Sequence, residues 1–193
     1  SRGRVNFVYD HDTGQLKTII APDGGVLEVE HDGFLMKSEI WSGEIAGNVS
    51  RAYDNSFRLT HLTVNEETVQ YEYDEDGLLK KVGEMTITRY PENGLLRGTE
   101  LGVVTTDQNY NTFGEINAFT AFVNNFPVYS VTYDHRDRLG RIEKITETIQ
   151  GETNVYVYTY DIANRLDTVT KNDELLADFN YDSNGNRTHI NNT

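Results

Sequence analysis

A single frame recurs along the whole chain, and it constrains the fold more than any other feature. It runs tyrosine, aspartate, two variable residues, glycine, one residue, leucine, and an apolar residue three further on. Tyr73-Asp74-Glu75-Asp76-Gly77-Leu78-Leu79, followed by Val82, is the clearest copy. Tyr9-Asp10, leading to Gly14, Leu16 and Ile19, carries one extra loop residue. A repeat of this length marks an architecture in which each unit needs its neighbours to bury its faces. With the tyrosine as anchor, copies fall at Tyr9, Val29, Tyr53, Tyr73, Tyr90, Tyr110, Tyr133, Tyr160 and Tyr181, 17 to 27 residues apart, and these nine fill all 193 residues. The leucine position holds Leu16, Leu35, Leu59, Leu79, Leu96, Ile116, Leu139 and Leu166, and in the last copy Arg187.

Each position of the frame has a physical reason. Residues before the anchor alternate, as in Tyr71-Glu72-Tyr73 and Tyr156-Val157-Tyr158-Thr159-Tyr160, so the tyrosines share one face of a strand and stack against the next hairpin. The following aspartate (Asp10, Asp54, Asp74, Asp134, Asp161, Asp182) can accept hydrogen bonds from the turn's own amides; Pro91 replaces it once, in Pro91-Glu92-Asn93-Gly94. The glycine position calls for positive φ, as in a type I turn with a bulge, and Gly14, Gly33, Gly77, Gly94, Gly114 and Gly185 supply it. Asn164 and Asp137 replace it with residues that tolerate the left-handed region; Phe57 does not, which predicts another loop form there. The chain is therefore read as all-β, a single array of nine antiparallel hairpins over residues 1–193. Eighteen strands at roughly 4.8 Å each would run on the order of 80 Å, and strand twist coils so long a ribbon into a curved or spiralling strip. Its unpaired edges suggest a piece of a longer chain.

Composition agrees and excludes several functions. There are 12 Tyr, 8 Phe and 16 Gly, and no stretch carries a helical period. The formal charge of −14, with Lys and Arg scattered singly, opposes nucleic acid and anionic membranes. Zero cysteines remove disulfides and thiolate chemistry. No apolar run reaches membrane-spanning length, so membrane insertion by this segment is not expected.

Copies such as Tyr71-Glu72-Tyr73-Asp74-Glu75-Asp76-Gly77-Leu78-Leu79 and Phe179-Asn180-Tyr181-Asp182-Ser183-Asn184-Gly185-Asn186-Arg187 resemble the YD repeats of Rhs proteins, toxin-complex B and C components and teneurins. The resemblance covers essentially the whole chain. It implies a long antiparallel strip spiralling into a hollow shell, secreted or at the cell surface, which in bacterial relatives encloses a toxin polypeptide and in teneurins presents adhesion surfaces. The bacterial repeats end in an Asp-Pro-x-Gly-Leu core segment, which in several members includes an aspartyl protease. No Asp-Pro pair occurs here, the prolines being Pro22, Pro91 and Pro127, so neither autoproteolysis nor toxin chemistry is assigned to this chain.

Other motifs compete with plain structural readings. Asp10-His11-Asp12-Thr13-Gly14, Asp74-Glu75-Asp76-Gly77 and Asp182-Ser183-Asn184-Gly185-Asn186 resemble the opening of a calcium loop, with Asp10, Asp12, Asp74, Asp76, Asp182 and Asn184 as candidate ligands, yet none has the closing glutamate and a turn explains each. The histidines, His11, His31, His61, His135 and His189, lie apart, and three are read as turn residues near the aspartate. Trp41 with Ile40 and Phe34 could form an aromatic platform for a sugar, against the commoner packed tryptophan. Asn48-Val49-Ser50, Asn186-Arg187-Thr188 and Asn191-Asn192-Thr193 match the glycan acceptor pattern at about the chance frequency and identify no host.

Three functions follow for testing. The leading one is a non-catalytic wall segment, without cofactor, that joins the rest of a shell and encloses or carries a polypeptide, the acidic balance suiting a basic cargo. The second is a module binding a carbohydrate or cell-surface partner through long inter-repeat segments, Gly98 to Asn109 and Asn117 to Pro127. The third, a hydrolase, requires convergent acids in a cleft with a strongly displaced pKa.

Overall fold

The computed structural model describes residues 3–192, and every regular element among them is a β-strand. Ser1, Arg2 and Thr193, and with Thr193 the third acceptor triplet, lie outside the described residues. Two compact units divide the chain, Ser1–Glu84 and Met85–Thr193.

The first unit contains β1 (Asn6–Tyr9), β2 (Leu16–Ile20), β3 (Val26–Asp32), β4 (Leu35–Ser42), β5 (Gly47–Tyr53), β6 (Leu59–Val64), β7 (Glu67–Tyr73) and β8 (Leu79–Val82), each paired antiparallel with the next. The second contains β9 (Met85–Arg89), β10 (Leu96–Leu101), β11 (Val104–Tyr110), β12 (Ile116–Val123), β13 (Phe126–Arg136), β14 (Ile142–Ile149), β15 (Glu152–Tyr160), β16 (Leu166–Lys171), β17 (Glu174–Tyr181) and β18 (Arg187–Asn192), joined in the same way. Within each unit strands pack only against their sequence neighbours, so each is one layer with no second sheet or helix over it. The accessible surface, 13879 Å², exceeds the about 9,300 Å² expected of a folded monomer of this mass. Among the described residues only Val29, Val131, Val169 and Ala177 form buried apolar core. Cohesion therefore depends on ladder hydrogen bonds and cross-strand pairs rather than on a deep interior.

Two kinds of connection alternate over most of the chain. The repeat loops join β1 to β2, β5 to β6 and β7 to β8 in the first unit, and β9 to β10 through β17 to β18 in the second. The intervening turns of the second unit, as at Gly102-Val103, and those at Gly33-Phe34 and Asn65-Glu66 in the first are two residues long, whereas β2 to β3 and β4 to β5 are joined by longer loops. At Asn124-Asn125, Gln150-Gly151 and Asn172-Asp173 both residues have positive φ, the type I′ geometry whose twist matches the flanking strands. These turns remove the long recognition loops expected at Gly98 to Asn109 and Asn117 to Pro127. Those segments are instead the paired strands β10, β11 and β12.

Register gives the second unit two unlike faces, because alternate residues point to opposite sides. Thr120, Ser130, Thr148 and Thr153 pair in one row across β12 to β15, with the Thr148 and Thr153 hydroxyls 2.9 Å apart. The opposite face carries Phe119, Val131, Glu147 and Asn154 in a row, flanked by Tyr129 and Tyr156.

Candidate functional site

The residues that the repeat brings together lie along its loop edge. In the loop Asp74 to Leu78, the Asp74 amide donates to the Leu78 carbonyl at 2.9 Å and the Gly77 amide to the Asp74 carbonyl at 3.1 Å, while Gly77 has φ +80°. The same pair of bonds closes the loops at Asp54, Asn111, Asp137, Asp161 and Asp182. The aspartate Oδ1 then takes amides inside the loop: Ser56 and Arg58 donate to Asp54, Leu139 and Arg141 to Asp137, Ala163 and Arg165 to Asp161, and Asn184 and Asn186 to Asp182. Asp10 accepts from the Asp12 and Thr13 amides and the Thr13 hydroxyl. The oxygens offered as calcium ligands at Asp10, Asp74 and Asp182 thus face their own turns, and no group of three or more acidic or histidine side chains able to hold a metal occurs among the described residues.

The loops are also stitched to one another. Anchor hydroxyls donate to backbone carbonyls of the preceding hairpin: Tyr53 to Met36 and Tyr73 to Leu59 in the first unit, and Tyr110 to Leu96, Tyr160 to Ile142 and Tyr181 to Leu166 in the second, at 2.7 to 2.9 Å. The second oxygen of the turn aspartate holds an arginine four residues on, Arg58 to Asp54 at 2.8 Å, Arg141 to Asp137 at 2.6 Å and Arg165 to Asp161 at 2.7 Å. Each of those guanidinium groups lies over the next anchor ring, Arg58 on Tyr73, Arg141 on Tyr160 and Arg165 on Tyr181, at 4.7, 4.3 and 4.3 Å. The result is a relay in which one hairpin's aspartate orients an arginine that clamps the next hairpin's tyrosine. Sequence reasoning treated the position before the leucine as variable and missed it, although Asp-x-x-x-Arg is visible at Asp54, Asp137 and Asp161.

Several copies sit in a different frame from that read in the sequence. Tyr133, Asp134 and His135 remain inside β13, and the loop is Asp137 to Arg141 with Gly140 at φ +80°. Asp137 is thus the turn aspartate rather than a glycine substitute. Leu139 is an exposed loop residue, Ile142 starts the return strand, and Asp134 instead accepts from the Thr132 and Thr146 hydroxyls. A bulge in β13 hides this shift, and Arg136 occupies the anchor place, donating to the Ile116 carbonyl as the anchor tyrosines donate to theirs. Likewise Arg89, not Tyr90, pairs with Leu96, so Tyr90 rather than Pro91 stands at the aspartate position, and its hydroxyl reaches forward to the Gln108 carbonyl. At Val29 there is no repeat loop, for β3 runs on to Asp32 and Gly33-Phe34 makes a two-residue turn before Leu35. Tyr9 and Leu16 pair across the first loop, with Gly14 at φ +71°. Gly94 and Gly114 each have φ +71° and +78°, Gly185 has φ +84°, and Asn164 has φ +65°.

Phe57 overturns another expectation, since it adopts φ +62° within the same turn bonds as Gly77. Exposure of its ring leaves little burial to offset that backbone cost. Phe57→Gly is therefore expected to stabilise the first unit by about 1 kcal/mol, read as a raised urea midpoint at unchanged slope.

The remaining candidates do not converge. His31, His61, His135 and His189 lie in strands, leaving His11 alone in a turn, and His135 pairs with Glu143 at 2.7 Å. Ile40 and Trp41 are neighbours on β4 and point to opposite faces, while Phe34 lies in the turn at the strand's other end, so no aromatic platform forms. The carboxyls with displaced pKa, Asp10, Asp54, Asp137, Asp161 and Asp182, are all turn residues displaced downward, the reverse of a general acid's need. The neighbouring amide leads at Asp54 and Asp161; at Asp137 burial pushes upward but Arg141 and the loop amides outweigh it. Unfolded, these groups titrate near 3.8, so their stabilisation is complete above that pH and is lost as pH falls through the lower folded values. The urea midpoint should hold between about pH 7 and 5 and drop below about pH 4, and Asp161→Asn should flatten that drop.

Comparison with known proteins accords with this geometry. A family model described as the teneurin YD-shell matches residues 1–193. Teneurin-3 of Mus musculus and Teneurin-4 of Homo sapiens are each 28% identical over 198 residues, covering 95% of this chain and 7% of their own length. The chain therefore spans a small part of these relatives. Among solved structures, the Photorhabdus luminescens Tc holotoxin pore superposes with a TM-score of 0.54 at 13% identity, covering 97% of this chain and 13% of that one. TcdB2-TccC3 without its hypervariable C-terminal region gives 0.52 at 12% identity, over 99% of this chain and 11% of that one. At such identity these two establish a shared fold alone.

Proposed function

The chain belongs to the teneurin YD-shell family, and on that premise we propose that it is a non-catalytic wall segment of a secreted or cell-surface shell that encloses or carries a polypeptide. The observation that carries this reading is the relay along the loop edge, in which Asp54, Asp137 and Asp161 each orient an arginine onto the tyrosine of the next hairpin. Groups that would otherwise be candidate catalysts are bound to turn amides and neighbouring rings. The unlike faces of the second unit suit a wall, one side carrying a row of threonine and serine hydroxyls and the other Phe119, Tyr129, Val131 and Tyr156 around Glu147 and Asn154. Containment would then be performed by a hydrogen-bonded sheet rather than by a reaction. No helix among the described residues is long and apolar enough to cross a membrane. A disordered basic polypeptide mixed with the chain should lose backbone hydrogen exchange and protease sensitivity; unchanged exchange across a range of concentrations would count against enclosure.

A second reading, recognition of a glycan or cell-surface protein, is supported by the loop tips. In three successive hairpins of the second unit Phe113, Leu139 and Ile162 stand out from the loops, the first two 88% and 68% exposed and Ile162 fully so. Such side chains commonly mark contact surfaces. Loss of cell or glycan binding in the combined Phe113→Ser, Leu139→Ser and Ile162→Ser variant would favour recognition, and retained binding would remove the tips from consideration.

A further inference from the structure

We infer that Glu147, on the aromatic face of the second unit, is the receptor for an ammonium or guanidinium group of an extended, partly apolar peptide. The inference rests on the wall reading, and it names the chemistry of what that wall would hold.

Glu147 stands in the row Val131, Glu147, Asn154, with Ile145 and Ile149 as its same-face neighbours along β14 and with Tyr129 and Tyr156 on the adjacent diagonals. It is half-buried, and it makes no ion pair with any described residue. Lys171, on β16, pairs with Tyr156 and lies 5.8 Å over that ring. Arg141, over Tyr160, is bound to Asp137. Burial raises the Tyr129 hydroxyl pKa, and the Glu147 carboxylate raises it further, through its charge and through the hydrogen bond it accepts from that hydroxyl, which holds the carboxylate beside the ring without neutralising it. An acid framed by tyrosine rings without a basic partner suits an incoming cation, which gains both the charge and the ring faces.

Beside it, a groove of about 440 Å³ is lined by Tyr133, Ile142, Ile145, Tyr158, Tyr160 and Leu166. Ile145 belongs both to this groove and to the strand row that leads to Glu147, two residues away. That step is roughly 6.6 Å, the spacing of alternate side chains in an extended chain. A peptide lying along β14 would therefore place an apolar side chain in the groove and a lysine or arginine two residues on at Glu147. The net charge of −14 would favour approach of such a peptide without selecting this position.

The probe is a blocked, dye-labelled peptide of about nine residues with leucine and lysine two apart, compared by fluorescence anisotropy with the same peptide carrying glutamate for lysine. The lysine peptide should bind about tenfold more tightly, Glu147→Gln should remove about fivefold of that preference, and Glu147→Lys should reverse it. Glu174→Gln, in the exposed start of β17, removes the same charge and should leave binding within about twofold. Equal effects of Glu147→Gln and Glu174→Gln would overturn the site, because binding would then follow overall charge. A preference unchanged in both Glu147 variants, with circular dichroism confirming the fold, would overturn it too. Glu147-dependent peptide binding without protection of a longer polypeptide would sustain the site while refuting enclosure. Protection that survives Glu147→Lys would do the reverse.

Discussion

Gly98→Val is expected to destabilise the second unit by about 3 kcal/mol. A Cβ built on Gly98 would stand 2.2 Å from the Thr106 carbonyl oxygen, and that oxygen belongs to the backbone of the paired strand β11. Neither strand can retreat without breaking its other pairing, for β10 is held by β9 on the far side and β11 by β12. Gly98 pairs with Asp107 in the regular ladder to β11 and has no positive φ, so the glycine is required for close approach and not for a turn. Gly98→Ala should cost about 2 kcal/mol, while Gly102→Asn, at φ +58° with open space around it, should change stability by less than about 0.5 kcal/mol. Urea unfolding monitored by circular dichroism separates these outcomes, and equal midpoints for Gly98→Ala and Gly102→Asn would show the close approach to be unimportant.

Tyr160→Ala is expected to cost about 2 to 3 kcal/mol. It removes a half-buried ring beneath Arg141, the hydroxyl bonded to the Ile142 carbonyl at 2.7 Å, and part of the wall of the apolar groove. Tyr160→Phe keeps the ring and loses the hydroxyl alone, for about 1 kcal/mol. If both substitutions cost the same, the ring contributes nothing and the arginine contact is incidental. Loss confined to the hydroxyl would leave the repeat tyrosine a simple hydrogen-bond donor.

The all-β class and the succession of hairpins were legible because period-two alternation and turn chemistry act locally, within one loop and its flanking strands. Copies such as Tyr73-Asp74 to Leu79 contain every residue that closes their own turn, and so they can be read without coordinates. The copies misplaced in sequence are those where a non-local bond replaces the local signal. At Tyr133 the most conspicuous tyrosine-aspartate pair is inside a bulged strand, and Arg136 performs the stitching usually given to tyrosine. At Tyr90 the frame slips by one, because arginine at the anchor place is invisible to a search for aromatic residues. Phe57 fails for another reason: two hydrogen bonds to Asp54 and the pairing of Tyr53 with Leu59 impose a conformation its own side chain disfavours. The relay through Arg58, Arg141 and Arg165 joins residues of different hairpins, and that coupling depends on strand register. Glu147 was hidden for the simplest reason, since one acid among 31 stands out only once its neighbours on the sheet face are known.

Enclosure and recognition both require that the repeat build a continuous support, and that support depends on contacts from each hairpin to the next. A double-mutant cycle between Arg141 and Tyr160, which lie in successive hairpins, measures one such contact directly. With Arg141→Gln, Tyr160→Leu and the pair combined, unfolding free energies should reveal a favourable coupling of about 0.5 to 1 kcal/mol. Strictly additive single effects, with no coupling, would contradict the claim that the repeat residues bind one hairpin to the next.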